Sequence, residues 1–165
     1  MNITADEKFT IGSAFPHLTE LLYEGESAAY TRSFVSVFDH WLLDDEVSQI
    51  YPTDRVEIAA RQNKFKNLVT HIHKVTPIYT ARFRRGRKDK LSIKRVVSER
   101  ALQNKCKFHL TNELYGDVFK FLIPELSVIY TQYHDWTHMV DFIDSNNVQE
   151  FRSLVEHFEL NWLKV

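Results

Sequence analysis

The sequence predicts an α+β fold: N-terminal helices followed by antiparallel β-hairpins and a C-terminal helix. Three observations predict it. Apolar residues recur at three- and four-residue spacing up to residue 75, the period of a helix with one buried face. Beyond residue 76, segments alternate apolar and polar side chains around short polar connections, the period of half-buried strands. The segment SNNVQEFRSLVEHF then returns to the helical period behind a Ser145 or Asn146 cap. With 165 residues, 44% hydrophobic and 26% charged, the chain is expected to fold as one domain over 1–165. That domain reads as mainly helical over 1–75 and mixed over 76–165, with a basic hairpin at 77–97.

Taken in order, residues 13–24 predict a short helix. Ser13 stands as its N-cap, Pro16 is tolerated in the first turn, and Phe15, Leu18 and Leu22 share a face. Residues 27–43 predict a longer apolar helix on Phe34, Val37, Phe38 and Trp41. A loop, DDEVSQIYP, leads to a third helix over about 54–74. Its buried stripe is Ile58, Phe65, Leu68, Val69 and Ile72, and its polar stripe is Asn63, Asn67, Thr70 and Lys74.

The hairpin follows. Tyr79, Ala81 and Phe83 point one way, and Thr80, Arg82 and Arg84 the other. Leu91 and Ile93 alternate in the same manner with Ser92 and Lys94, and RGRKDK with Gly86 makes the connection. Arg95 falls on the apolar face, which predicts a bulge or strand end near it. CKFHL reads as a short strand, and Thr111 as the cap of a helix over 112–122 that stops before Pro124. Residues 126–143 fit two periods. Leu126, Ile129, Tyr133, Trp136, Val140 and Ile143 match a helical heptad, but from 127 on there is no Ala, Lys, Arg or Glu. Propensity favours a hairpin turning near His134–Asp135. LNWLKV is a final strand.

Composition excludes several classes. Cys106 is the sole cysteine, so no internal disulfide forms and a reducing compartment is expected. MNITADEKFT lacks a basic segment followed by an apolar run, and no stretch approaches ~18 apolar residues. A cytoplasmic location with no membrane partner is the expectation. Four glycines and no phosphate-binding glycine loop argue against the common nucleotide cofactors.

Charge is the anomaly. Residues 1–60 carry three basic and eleven acidic side chains, residues 61–107 fifteen against two, and residues 108–165 three against nine. A formal net charge of -1 thus conceals an acid–base–acid pattern. Such a block is either a polyanion footprint or a surface neutralised by its own flanks.

Candidate chemistry is sparse. HLT occurs at His17–Thr19 and His109–Thr111. The pair resembles the motifs of the 2H phosphoesterases, whose two histidines serve as general acid and base. That family sets each motif on a strand, whereas the first here falls in a predicted helix. Without that chemistry, Thr111 is a helix cap and His17 a surface residue. Arg152 and His157 are similar to the Arg–His pattern of HEPN ribonucleases. His71 and His73 lie about 200° apart on a helix and cannot chelate one ion. His134, His138 and Asp141 share a face only if 126–143 is helical, so no metal site is expected. Cys106 reads as a core residue.

The basic hairpin is what stands above background. Arg82, Arg84 and Lys94 lie on one face and Arg85, Arg87, Lys88 and Lys90 at the tip, with Lys64, Asn63 and Asn67 on the preceding helix. Three helices before a basic hairpin resemble winged-helix DNA binders in architecture alone. The expected function is nucleic-acid binding, with DNA or RNA as partner and no cofactor. The alternative is a protein-interaction module, such as an immunity, antitoxin or inhibitor protein, offering Asp39, Asp44, Asp45 and Glu46 to a cognate protein. A 2H-like phosphoesterase is the third reading.

Overall fold

The structure, a computed structural model, describes residues 3–84, 87–105, 119–146 and 148–164, and side chains within them except at 84, 87–89 and 104–105. It is an α+β fold built on one seven-stranded antiparallel sheet of order β3-β2-β4-β5-β6-β1-β7. The strands are β1 (Thr31–Ser36), β2 (Tyr79–Arg84), β3 (Arg87–Arg95), β4 (Lys120–Ile123), β5 (Val128–Gln132), β6 (Thr137–Phe142) and β7 (Asn161–Lys164). The helices are α1 (Ala5–Ala14), α2 (Leu18–Glu24), α3 (Arg55–Val75), α4 (Glu99–Lys105) and α5 (Gln149–His157).

The sheet divides the core in two. On one face, Val35, Phe121, Tyr130 and Val140 pack against Phe65, Leu68 and Ile72 of α3, Leu102 of α4, and Phe151 and Val155 of α5. On the other, Tyr79, Ala81, Leu122 and Ile129 pack against Ile11 of α1 and Leu18, Leu21 and Leu22 of α2. Strands buried on both faces lose the simple alternation that marks a half-buried strand.

The third predicted helix matches α3: Asp54 caps it by accepting from the Val56 amide, and its predicted stripe is buried at Phe65, Leu68, Val69 and Ile72. Both predicted hairpins form. In β2–β3, Ala81 opposes Ile93 and Arg82 opposes Ser92. The register shifts between Phe83 and Arg84, and β3 ends at Arg95. In β5–β6, the Thr137 amide donates to the His134 carbonyl over 3.0 Å. Asp135 and Trp136 between them hold φ of 56 and 57 degrees. That pattern is a type I′ turn, whose twist suits a hairpin. The C-terminal helix and final strand appear as α5 and β7. The residue before α5 is Val148, which makes no side-chain cap bond, so neither Ser145 nor Asn146 is the N-cap.

Five expectations are corrected. Residues 27–43 are not a helix; their centre is β1, paired between β6 and β7. Phe34 and Val35 therefore face opposite sides, and Trp41 is 48% exposed rather than buried. Residues 13–24 are not one helix. The chain bends at Phe15–His17, with His17 in the left-handed region at φ 60 degrees. The helix start is Thr4, not Ser13. The Thr4 hydroxyl accepts from the Glu7 amide, and the Glu7 carboxylate accepts from the Thr4 amide, a capping box legible as T-x-x-E. Residues 119–122 are not helical, and 120–122 belong to β4; residues 112–118 of that predicted helix, its Thr111 cap and CKFHL lie outside the described residues. With β1 inside the first 75 residues and one sheet among the described residues, the winged-helix likeness is withdrawn.

Candidate nucleic-acid interface

The two faces of the β2–β3 hairpin differ because the sequence alternates. Tyr79, Ala81, Phe83, Leu91 and Ile93 turn toward α1 and α2. Arg82, Lys90 and Lys94 turn to the opposite side and are exposed. Arg95 sits on the apolar side at the strand end, where it pairs with Glu7 of α1 over 3.1 Å. Tyr79 also donates to that carboxylate over 3.1 Å.

The predicted residues separate in space. Arg82, Lys90 and Lys94 share one face of the hairpin. Asn63 and Asn67 are exposed on α3, together with Lys66 and Lys74. Lys64 is turned away from that ridge. Its Nζ donates to the Glu159 carbonyl over 3.0 Å and lies 3.4 Å from the Glu159 carboxylate, in the turn between α5 and β7. The backbone of Arg84, Arg87 and Lys88 lies in the β2 and β3 strands. Their side chains, and all of Arg85, lie outside the described residues.

The acidic flanks neutralise part of the basic block. Arg61 pairs with Glu57, donates to the Gln49 carbonyl, and lies over the rings of Phe38 and Trp136. Arg61, Lys64 and Arg95 are thereby taken up within the fold. Lys66, Lys74, Arg82, Lys90, Lys94 and Arg100 form no ion pair among the described residues.

No family model, curated protein or solved structure matches the chain. Its chemistry rests on the side chains alone.

The other candidates disperse. His17 is exposed at the bend before α2, off any strand, and His109–Thr111 and Cys106 lie outside the described residues. The His71 ring meets Phe158 at 5.5 Å, while His73 Nε2 lies 3.2 Å from the Val96 carbonyl. His138 and Asp141 point to opposite faces of β6. Among the described residues, no three potential ligands gather to hold a metal. Arg152 pairs with Glu156 rather than with His157. No described helix is long and apolar enough to cross a membrane.

Two features escaped sequence reasoning. The first is a buried charge group. Arg32 Nε donates to Asp141 over 2.7 Å and Nη2 to the Gly25 carbonyl over 2.6 Å. Burial holds the Asp141 carboxyl above the usual carboxylate range against the opposing pull of Arg32. Burial also lowers the ammonium of Lys120, which Asp141 partly offsets. The second is an aromatic group of Phe34, Trp41 and Tyr133, with ring centres 4.9 and 6.1 Å from Phe34. Trp41 and Tyr133 are about half exposed. Strand pairing assembles both from distant segments, so no local pattern announces them.

The predicted acidic surface is also organised. His40 lies between Asp39, 2.5 Å from Nδ1, and Glu46, 3.0 Å from Nε2. Glu46 and then Asp39 raise the imidazole above its ordinary value. Asp44 and Asp45 follow on the short 3-10 turn Asp44–Ile50.

Proposed function

We propose that the protein binds nucleic acid through the cationic face of the β2–β3 hairpin. The observation that carries this reading is the set of cations left over after internal pairing: Arg82, Lys90 and Lys94 on one strand face, with no carboxylate beside them among the described residues. A strand face of this kind tracks phosphates, and each contact releases counterions. Asn63, Lys66, Asn67 and Lys74 add a polar ridge on α3, which packs on the same side of the sheet. Amide side chains on such a ridge can read base edges where the helix enters a groove. The test is retention of labelled DNA and RNA across a salt series by the wild type and by a variant with Ser at Arg82, Lys90 and Lys94. Retention that falls with salt in the wild type and is weak in the variant supports the reading; equal retention by both removes it.

A second reading rests on a different surface. The half-exposed Trp41 and Tyr133 beside Phe34, with the carboxylates of Asp39, Asp44 and Asp45 nearby in sequence, suit a protein partner carrying apolar and basic residues, because aromatic side chains dominate interface cores. An immunity, antitoxin or inhibitor role belongs to this reading. Tight binding of one protein, lost on Trp41→Ala and kept in the hairpin variant, would favour it.

A further inference from the structure

Among the described residues, strand β3 is the terminal strand of the sheet and pairs only with β2. Between it and the bend joining α1 to α2 runs an open groove of about 390 Å³. Ile11, Phe15 and Leu18 form one wall and Leu91 and Ile93 the other, with Lys8 and His17 at the rim. Gly12 faces this groove from within helix α1, and a Cβ built on it meets nothing within 4 Å. Glycine inside a helix is unfavourable relative to residues with a side chain, and here neither backbone conformation nor packing requires it. What glycine does is leave the groove open.

The backbone edge faces the same groove. The Val96 amide donates to the Ile78 carbonyl over 2.9 Å. By the alternation of an antiparallel ladder, Ser92 and Lys94 direct their amides to β2, while Leu91, Ile93 and Arg95 direct theirs outward. We propose that β3 and this groove form a strand-addition site for an extended acidic peptide in which apolar and acidic residues alternate. Added antiparallel, such a peptide places every second side chain among Leu91, Ile93 and Ile11, and the intervening carboxylates over Lys90 and Lys94. Charge selects the occupant. Pairing β3 with a second copy of itself would set Lys90 and Lys94 against their like across the strands, which is destabilising. Lysines on an edge strand deter pairing in general, and they deter it least for a strand bearing the opposite charge.

The site shares Lys90 and Lys94 with the proposed nucleic-acid face but adds the groove residues Gly12, Leu91 and Ile93, so a change at Gly12 separates the two. The probe is a labelled peptide EVEIEVE, with KVKIKVK and a shuffled EEEEVVI as controls, measured by fluorescence anisotropy. The expected result is binding at least tenfold tighter than either control. N-methylation of the valines and isoleucine should abolish it, because residues opposite Leu91 and Ile93 donate across the new ladder; methylation of the glutamates should leave it. Gly12→Leu fills the groove while favouring the helix, so it should weaken EVEIEVE at least tenfold, with an unchanged circular dichroism spectrum and unchanged nucleic-acid retention. Equal binding of the shuffled peptide, or full binding by Gly12→Leu, would assign any affinity to surface charge alone and overturn the site. If Gly12→Leu unfolds the chain, Gly12→Met is measured in its place by the same criterion.

Discussion

The Tyr130 hydroxyl and Nδ1 of His138 share a hydrogen bond of 2.6 Å at the centre of the sheet. The His138 ring stacks on Phe65 at 4.1 Å, and burial lowers its pKa to about 3. Burial penalises the imidazolium, so the folded state is built on the uncharged form.

That relationship predicts the acid sensitivity of the fold. The unfolded histidine titrates near its ordinary value of about 6.5, and the folded one only near 3. Between those values the unfolded chain binds the proton that the folded chain refuses. Stability is therefore undiminished above about pH 6.5 and falls as pH drops through the window, by up to about 1.4 kcal/mol per pH unit from this group. Urea midpoints measured at pH 7, 6 and 5 should fall more steeply in the wild type than in His138→Gln. Parallel slopes would mean that the imidazole is not held neutral.

Arg32 and Asp141 form a pair of unequal burial, with side chains 30% and 6% exposed. Arg32→Met should cost about 2–3 kcal/mol, below the range for a fully buried pair because Arg32 is partly open to water. Asp141→Asn in the same chain should recover most of that loss, since it removes the stranded charge. A double variant no more stable than Arg32→Met would show that packing, not charge, accounts for the loss.

For the hairpin cations, the slope of log K against log salt is the quantitative readout. Serine at Arg82, Lys90 and Lys94 should lower it by roughly 0.9 for each duplex phosphate that is no longer neutralised. The weakening should be similar across base sequences, because phosphate contacts carry no sequence information. Serine at Arg84, Arg85, Arg87 and Lys88 tests the tip in the same way. Replacing Asn63 or Asn67 should instead alter preference among sequences. At the exposed positions Asn63, Asn67, Arg82, Lys90 and Lys94, each replacement should change stability within about 0.5 kcal/mol. Melting curves run beside the titrations check that weaker binding is not unfolding.

The β5–β6 turn holds Asp135 in the left-handed region, where glycine is free of the Cβ penalty. Asp135→Gly should stabilise the protein by up to about 1 kcal/mol, less whatever the Asp135 carboxylate gains from its neighbour His134. Trp136, equally left-handed, should not tolerate the same change. Its indole donates to the Ile50 carbonyl over 3.0 Å and lies beneath Arg61. A thermal melt of each variant settles the sign: destabilisation by Asp135→Gly would mean that its side-chain bond outweighs the backbone strain.

The sequence by itself determined the elements whose signal is local. Helix α3 was legible from its apolar stripe over nearly six turns, although its cap is Asp54 and not the Pro52–Thr53 step before it. The two hairpins were legible because β-branched and aromatic residues alternate around polar turns. In residues 126–143 that propensity overrode a heptad that also fitted. The cationic face of Arg82, Lys90 and Lys94 follows from the same alternation. Strands β1 and β4 were not legible. β1 is flanked by β6 and β7, so pairing with distant segments, not its own period, makes it a strand. Phe34, Val37, Phe38 and Trp41 fall at helical spacing only because strand and turn residues are read together. KFLI of β4 is too short to show a period at all. Helix α1 was missed although Thr4 and Glu7 spell its capping box. The tertiary structure alone decided which charges are paired. Arg32 reaches Asp141, Arg95 reaches Glu7 and Lys64 reaches Glu159 across long stretches of chain. Coulombic partners are set by proximity in space, and a linear count of charge records only their sum.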